Sequence, residues 1–390
     1  MVISIPEFDK KVEETKLYLE QLLQNEKSYD HVLSSMCTPP IDLTRFIASE
    51  FSEINLGDPG LFPKAVELEK EVLDEIANIL NAPKDWAGST TSGGSESNLI
   101  GCWAARNWSK EVKGITKGKV LLPKSAHISF EKTIDILDLE IDWIPLTSNH
   151  QTDIEVVKEK IDSNTVALVG IAGTTGTGVC DDIPSLSEIA VDNKIPLHID
   201  AAHGGMILPF LNDIGLTSPS FSFENEGVTS ITIDNHKILG SLIPGGNIIF
   251  RSREYTEKIE KRISYLSDSQ TRQITITGTR PGNSVISAWV LLKHFGKEFI
   301  ISRVKYSFDL TKYLVEQLKE IPNLEFIFEP TLNIIGFSTN KMTAEKLVEK
   351  LKKFNWDLSI FNYWVRIVVM PHFTKEMVDK FIKVLKGILE

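Results

Sequence analysis

Short apolar runs alternate with segments of helical spacing through the middle of the chain. The apolar runs cover residues 118–122, 141–145, 166–171, 196–200, 230–234 and 247–250, and each has the length of a strand. Strands that alternate with helices favour a mostly parallel sheet covered by helices. We therefore predict a large α/β domain over residues 63–296.

The two ends of the chain have different patterns. Residues 6–23 have helical spacing and many charges, and irregular turns containing Pro and Gly follow at 38–40 and 57–60. Residues 1–62 are therefore predicted to form an N-terminal arm. After Lys297 the pattern predicts a long helix, strands near 324–328 and 333–337, a helix over 343–354, a strand over 364–370 and a final helix. Residues 297–390 should form a smaller α+β domain that meets the large domain at a cleft.

The composition is that of a globular protein with a large core, since 42% of the 390 residues are hydrophobic and 24% are charged. The net charge of −11 disfavours nucleic acid and anionic membranes as partners, although a local basic pocket can still bind a small anion. Neither a signal peptide nor a membrane-spanning run is evident, so we expect a cytoplasmic location. The separation of Cys37, Cys102 and Cys180 favours neither a disulfide framework nor a zinc site.

Two of the predicted strands end in groups that suit carbonyl chemistry. Lys237 follows the strand at 230–234, and Asp200 ends the strand at 196–200. A lysine amine forms a Schiff base with an aldehyde, and a carboxylate at the carboxyl end of a strand keeps a pyridine nitrogen protonated. The pair predicts pyridoxal phosphate as cofactor. A surface charge for Lys237 and a helix cap for Asp200 are the alternatives.

Three further motifs are predicted to lie at the same edge of the sheet. The Ser- and Gly-rich turn at 87–95 leads into a helix, and the free amide groups of that helix N-terminus suit a phosphate. His127 follows one predicted strand, and the Thr-rich turn at 173–178 follows another. The alternatives are an ordinary helix cap, a structural histidine and a flexible connection. The functional interpretation of these motifs is favoured because all three are predicted to lie at the same edge of the sheet.

A metal site is the competing interpretation of one segment. His198 and Asp200 lie on one face of a strand, with His203 just beyond it. A metal leaves Lys237 and both turns unexplained, whereas pyridoxal phosphate uses all of them. We therefore expect no metal.

Eight motifs together resemble the group II pyridoxal-dependent amino acid decarboxylases, most closely the archaeal tyrosine/aspartate decarboxylase branch. They are GDPGLFP (57–63), TSGGSESN (91–98), SAHISFEK (125–132), GIAGTTG (170–176), HIDAA (198–202), DNHK (234–237), TGTR (277–280) and VRIVVMPH (365–372). Two positions depart from the family pattern. Asn235 stands where many relatives have Pro, and His203 stands where they usually have an aromatic residue.

The resemblance implies the fold type I architecture of aspartate aminotransferase and a homodimer with active sites at the subunit interface, where the N-terminal arm helps to bind the partner. It also implies a role for each matched residue. Lys237 becomes the Schiff-base lysine, Asp200 the partner of the ring nitrogen, and His127 the stacking imidazole. The remaining implied cofactor contacts are Ala202 on the opposite ring face, Thr174 near the ring, and Gly94, Ser95 and His236 at the phosphate.

Four residues are candidates for contact with the substrate. Arg366 matches the position that receives the substrate's α-carboxylate, with a surface ion pair as the alternative. Tyr265 lies in a polar stretch that suits a mobile loop and is the candidate proton donor, with a packing role as the alternative. Arg280 is a candidate for anchoring a distal acidic group or the phosphate across the dimer, unless it forms a structural salt bridge. The polar His203 favours an acidic substrate.

The expected reaction is decarboxylation of a small amino acid to its amine. L-Aspartate, giving β-alanine for coenzyme A synthesis, is the predicted substrate, with L-tyrosine or L-glutamate as alternatives. The motifs also allow a carbon–carbon lyase that acts on a phosphorylated amino alcohol, because the neighbouring lyase family has similar turns. The alternative that is not an enzyme is a protein that binds the cofactor without catalysing a reaction.

Overall fold

A seven-stranded sheet forms the centre of the computed structural model, which describes residues 6–26 and 29–390. Its strands are β1 Ala87–Thr91, β2 Lys119–Pro123, β3 Glu140–Ile144, β4 Thr165–Ile171, β5 Leu197–Asp200, β6 Val228–Asp234 and β7 Gly246–Phe250. The spatial order is β1-β7-β6-β5-β4-β2-β3. Only β7 runs antiparallel to its neighbours, so the prediction of a mostly parallel sheet is confirmed.

Helices cover the sheet on both faces. The helices before and around the sheet are α1 Pro6–Asn25, α2 Asp42–Glu50, α3 Pro63–Ile79, α4 Gly94–Lys113, α5 Ser129–Ile136, α6 Ile154–Lys160, α7 Ile183–Asn193, α8 Arg253–Thr256 and α9 Gly282–Trp289. Every residue of β4 and β6 is buried, because these central strands are covered on both sides. The sequence of β4 is accordingly an almost continuous apolar run, whereas β6 also buries Thr229, Ser230, Thr232 and Asp234.

A second sheet of four antiparallel strands builds the C-terminal part. Its strands are β10 Leu324–Phe326, β11 Ile334–Thr339, β12 Ser359–Phe361 and β13 Trp364–Val368, and the order is β10-β11-β13-β12. The helices here are α10 Gly296–Lys319, α11 Ala344–Lys352 and α12 Lys375–Leu389. A separate apolar cluster, which includes Phe337, Leu351 and Phe381, packs between this sheet and its helices. The expected α+β character is confirmed, while the boundaries at 62 and 296 stay a prediction.

Four features were not expected from the sequence. Strand β1 lies in the stretch that we predicted to be a turn, because Ala87–Thr91 carries no large apolar residue and is held by its pairing with β7. Helix α2 lies in the stretch predicted to be irregular, and β12 is only three residues long. A two-stranded ribbon, β8 Lys261–Arg262 and β9 Arg272–Gln273, frames the polar stretch around Tyr265.

Helix α1 projects from the rest of the chain. Each side chain from position 11 to position 24 is exposed, including Leu17, Tyr18 and Leu23. This part of the helix therefore contributes no buried surface within a single chain. Across 6–26 and 29–390, we find no helix with the length and apolar character that crossing a membrane requires.

Candidate functional site

A cavity of about 360 Å³ opens at the carboxyl ends of β4, β5 and β6, where the start of α4 also meets the sheet. Ligands of open α/β sheets bind at this edge. The chain brings eight of the predicted residues together as lining of the cavity: Lys237, Asp200, His127, Ala202, Gly94, Ser95, His236 and His203.

Lys237 lies in the turn that follows β6. Its Nζ is 3.3 Å from Oδ2 of Asp234, and the Lys237 side chain is only 16% exposed. This lysine is therefore not a solvated surface charge. The second oxygen of the buried Asp234, Oδ1, has no hydrogen-bond partner among the described residues, so an unused acceptor faces the same region.

Asp200 ends β5 and is 7% exposed. Its Oδ2 accepts a hydrogen bond of 2.9 Å from Nδ2 of Asn98, and its Oδ1 accepts one of 3.0 Å from the amide of Ala202. These two bonds fix the carboxylate at the cavity. A metal is not indicated, because both ring nitrogens of the neighbouring His198 bind Asn98 and Ser230.

The turn from β1 into α4 forms a cradle of backbone amides. Gly93 has φ +132°, a conformation that L side chains rarely adopt, and the first helical hydrogen bond joins the Ser97 amide to the Gly93 carbonyl. The amide groups of Gly94 and Ser95 thus precede the helical ladder. A Cβ on Gly94 would lie 3.0 Å from that of Ala202, so glycine leaves the space open. Free amides beside open space suit a phosphate.

His127 precedes α5 at the rim of the cavity. Its Nδ1 accepts a hydrogen bond of 3.2 Å from the amide of Ser129, so the proton of the neutral ring lies on Nε2. Burial, together with the positive charge of Lys237, lowers the pKa of His127 against the opposing effect of Asp200. A neutral ring with fixed orientation results.

His236 lies between the glycine turn and β7. Its Nδ1 donates to the Gly245 carbonyl at 2.6 Å, and its Cε1 is 3.2 Å from the position of a Cβ on Gly93. Burial disfavours its charge, but a hydrogen bond with Cys37 and the charge of Asp234 outweigh burial, so the pKa of His236 is raised. The raised pKa favours the charged form of this imidazole, which suits an anion beside the amide cradle.

His203 is a neutral side chain whose free nitrogen is a hydrogen-bond acceptor. Asn333 donates through Nδ2 to the Val369 carbonyl, so its Oδ1 accepts a proton from His203 Nε2 at 2.9 Å. Burial lowers the pKa of His203 to about 3, and its Nδ1 has no partner within 6–26 and 29–390. An unprotonated nitrogen cannot donate to a carboxylate. Contrary to the expectation from the sequence, His203 therefore gives no preference for an acidic substrate.

The prediction for Thr174 needs a correction by one residue. Its hydroxyl pairs with that of Thr177 at 2.8 Å and is buried away from the lining, whereas Thr175 lines the cavity. The sequence pattern predicted where the turn lies, but not which of its threonines lines the cavity.

Tyr265 and Arg280 do not line the cavity within one chain. Tyr265 is 86% exposed. Arg280 forms an ion pair of 2.5 Å with Glu69 and also donates to Thr90, which is the salt-bridge alternative for this residue. Any contact of these two side chains with a substrate requires movement or a second subunit.

Arg366 lies on β13 outside the residues that line the cavity. It is 8% exposed and donates to the Thr175 carbonyl at 2.6 Å, the Ser34 carbonyl at 3.0 Å and the Ser359 hydroxyl. We find no carboxylate partner for it within the described ranges, so the surface ion pair is not formed. Burial lowers its pKa to about 10, which leaves it charged at neutral pH.

The sequence interpretation gave no role to Asn98, although it lies in the TSGGSESN motif. Its position four residues after Gly94 places it on the same side of α4, and this spacing was the available signal. Its partners Asp200 and His198 come from a strand about a hundred positions away, which no local pattern reveals.

The cavity contains the groups that pyridoxal phosphate requires. An amine, a carboxylate beside β5, an imidazole and an amide cradle surround one space, and the open volume at Gly94 allows an anion to approach the backbone. The fold and this set of groups define a pyridoxal-phosphate-dependent enzyme of fold type I.

Comparison with known proteins identifies the family. Residues 54–340 match the model of the pyridoxal-dependent decarboxylase conserved domain. An L-aspartate/L-glutamate decarboxylase of Pyrococcus horikoshii is 43% identical over 358 residues, which are 92% of each chain. A probable L-tyrosine/L-aspartate decarboxylase of Methanothermobacter thermautotrophicus is 40% identical over 359 residues, 92% of this chain and 97% of the relative. The chain belongs to the pyridoxal-dependent decarboxylases.

The fold is also similar to that of a solved enzyme. Glutamate decarboxylase of Lactobacillus brevis superposes with a TM-score of 0.88 at 22% identity, over 99% of this chain and 92% of that enzyme. This likeness supports the architecture, and the family match supports the reaction. The chain is a decarboxylase, so neither the carbon–carbon lyase nor the inactive protein is favoured.

Proposed function

We propose that this enzyme removes the α-carboxylate of L-aspartate and releases β-alanine and carbon dioxide. One observation carries the choice of substrate: L-aspartate is the amino acid that the names of both archaeal relatives share, and each relative aligns with 92% of the chain. The β-alanine formed is a precursor of coenzyme A, as the family resemblance implies.

We propose that Lys237 holds the cofactor aldehyde and that Asp200 pairs with the ring nitrogen. When bound, pyridoxal phosphate supplies an electron sink for the pair left at Cα as the carboxylate departs. His127 and Ala202 would flank the ring. The amides of Gly94 and Ser95, with His236, would hold the phosphate, and this is supported by the raised pKa of His236 and the open cradle.

Arg366 is proposed to bind the α-carboxylate. Support comes from its charge, its burial and its partners, which are neutral oxygens rather than carboxylates. A guanidinium that is not neutralised by a protein carboxylate retains its attraction for the substrate. Holding the carboxylate fixes the direction of the bond that breaks.

A proton must reach Cα after carbon dioxide leaves. Tyr265 is proposed as the donor, since it lies on the exposed ribbon loop that can approach a cavity by movement or from a second subunit. Arg280 is proposed to support that approach from the same segment, because its ion pair with Glu69 anchors the loop to α3. Lys237 would hold the cofactor again once the amine has left.

A homodimer is proposed as the active form. Helix α1 exposes Leu17, Leu19 and Leu23 along a stretch that buries nothing within one chain, and such apolar surface suits a second copy. Removal of residues 1–25 should convert the dimer into a monomer in sedimentation experiments. A truncated protein that remains dimeric would contradict this role of α1.

A cytoplasmic location is proposed as well. Cys37, Cys102 and Cys180 are free thiols in the structure, and unpaired cysteines are usual in a reducing compartment.

The substrate can be identified with the purified holoenzyme and each proteinogenic amino acid. Carbon dioxide and amine are measured together, because decarboxylation produces them in equal amounts. We expect L-aspartate to give β-alanine with the highest kcat/KM. Preference for L-tyrosine or L-glutamate would replace the substrate, and absence of carbon dioxide from every amino acid would contradict the reaction.

A further inference from the structure

A buried chain of hydrogen bonds leads from β6 through β5 and α4 to Asp200. Ser230 Oγ is 2.8 Å from His198 Nδ1, His198 Nε2 is 3.0 Å from Asn98 Oδ1, and Asn98 Nδ2 is 2.9 Å from Asp200 Oδ2. Asn98, Ser230 and His198 are all buried. The chain thus connects the floor of the cavity with the protein interior.

The direction of every bond follows from the acceptor at the end. The Asp200 carboxylate accepts, so Asn98 presents its amide nitrogen there and its second amide hydrogen is shared with Ser129 Oγ at 3.2 Å. Asn98 Oδ1 then accepts from His198 Nε2. The remaining nitrogen, Nδ1, accepts from the Ser230 hydroxyl. All three donors therefore point toward Asp200.

The imidazole in this chain is uncharged. Burial lowers the pKa of His198 to about 4, although Asp200 opposes this. A charged imidazole would form an ion pair that neutralises the carboxylate, whereas an oriented neutral chain stabilises the charge and leaves it available to the cavity.

Helix α4 is shaped to admit this ring. A Cβ on Gly101 would clash with the His198 imidazole, and Gly101 is three residues after Asn98, on the same side of the helix. One helix face therefore supplies both the amide and the space for the imidazole.

We propose that Asn98 and His198 are positioning residues that hold the Asp200 carboxylate directed at the ring nitrogen of the cofactor. This inference rests on the proposed role of Asp200. Both residues act through the carboxylate rather than by contact with the substrate. The hydrogen bonds of Asn98, His198 and Ser230 are aligned toward the Asp200 carboxylate, and together they stabilise its orientation. Ser230 is the donor farthest from the carboxylate.

Other titratable groups also face Asp200. They are His127 from the start of α5, Lys237 and Asp234 from the end of β6, Cys102 from α4, and His198 from β5 itself. Asn98→Ala leaves all of these groups in place and adds no charge. A change in cofactor affinity of this variant therefore reports on the donor that was removed.

The test measures cofactor affinity and the absorbance spectrum of the bound cofactor rather than turnover alone. Apoenzyme of the wild type, Asn98→Ala and Asn98→Asp is titrated with pyridoxal phosphate and followed by absorbance. Loss of the Asn98 donor removes one of the two hydrogen bonds that fix the Asp200 carboxylate, so the dissociation constant should rise by about tenfold for Asn98→Ala. Asn98→Asp has a similar shape but places an acceptor opposite Asp200, so it should bind the cofactor more weakly still.

Two further variants make the result decisive. Asn107→Ala, on the same helix but bonded to the Lys258 carbonyl, should bind cofactor like the wild type. Ser230→Ala removes only the distal donor and should give a smaller shift of the same sign, even if the Asn98 variants fail to fold. Wild-type cofactor affinity for Asn98→Asp or, in that case, for Ser230→Ala would overturn the inference. Wild-type affinity and turnover for Asp200→Asn would instead overturn the proposed role of Asp200.

Discussion

At the residue scale, one turn after β6 places three ionisable side chains at the cavity. Asp234, His236 and Lys237 lie within four positions, and the carboxylate is 3.3 Å from the lysine amine and 3.8 Å from the imidazole. The amine is thereby oriented before any ligand arrives. Its low exposure also keeps it from extending into solvent.

Replacing Lys237 by Ala should abolish the visible absorbance of lysine-bound cofactor and reduce turnover by about four orders of magnitude or more, because no other amine lines the cavity in the described part of the chain. Absorbance spectra and amine production measure the two effects. Lys293→Ala, at an exposed pair with Glu75, is the matched control and should retain both. Retention of the absorbance band by Lys237→Ala would contradict the assignment.

The residues that end apolar strands could be found from the sequence, and those that depend on packing could not. Asp200 and Lys237 follow strands whose apolar character is evident, and the structure brings both to one cavity. The role of Asn98 depends on contacts between α4 and β5. The neutral state of His203 depends on Asn333, which lies 130 positions away. Neither arrangement has a local signature.

At the element scale, Glu96 joins helix α4 to the segment that follows the ribbon. Its Oε1 accepts from the amides of Ile276 and Thr277 and from the Thr277 hydroxyl, while Oε2 accepts from the Ser92 amide at 2.7 Å. Burial opposes its charge, but these hydrogen bonds outweigh burial, and the pKa of Glu96 is lowered. The carboxylate therefore links the amide cradle at the start of α4 with residues 276 and 277, in the loop that follows the ribbon.

Glu96→Ala should release this loop, because it removes three acceptor contacts to residues 276 and 277. We expect a loss of about 2 kcal/mol in unfolding free energy and faster tryptic cleavage at Arg272 and Arg280. Limited proteolysis followed by mass spectrometry measures the cleavage. Glu111→Ala on the exposed side of α4 should cleave like the wild type. Equal cleavage rates for Glu96→Ala would contradict the proposed link.

Element prediction succeeded where burial is reflected in local composition. Strand β4 is apolar along most of its length, and α4 has the expected helical spacing. Strand β1 was not predicted, because Ala87–Thr91 is held by its partner β7 rather than by apolar side chains. The conformation of such a segment depends on pairing with a distant strand, and this pairing leaves no periodic pattern in the local sequence.

At the scale of the whole molecule, two buried neutral histidines couple stability to pH. Burial lowers the pKa of His198 to about 4 and that of His203 to about 3 from a reference of 6.5. The unfolded chain binds these protons more readily than the folded protein does. The free energy of unfolding should therefore fall as pH decreases below about 6.5, until each folded-state pKa is reached.

The contribution of His203 can be isolated by substitution. Between about pH 7 and pH 5 the wild type should lose about 2 kcal/mol more unfolding free energy than His203→Phe, since phenylalanine takes up no proton. Urea unfolding at the two pH values measures the difference. His294→Gln, at an exposed histidine, should lose as much as the wild type. An unchanged loss in His203→Phe would contradict the buried neutral state.

The central claim is α-decarboxylation of L-aspartate by a site built around Lys237. The most direct measurement supplies the holoenzyme with L-aspartate carrying carbon-13 at either carboxylate and determines the label in the gas and in the amine. We predict labelled carbon dioxide only from the α-carboxyl label, with β-alanine as product and no release by Lys237→Ala. Labelled gas from the side-chain carboxylate with alanine as product, or release by the lysine variant, would contradict the claim.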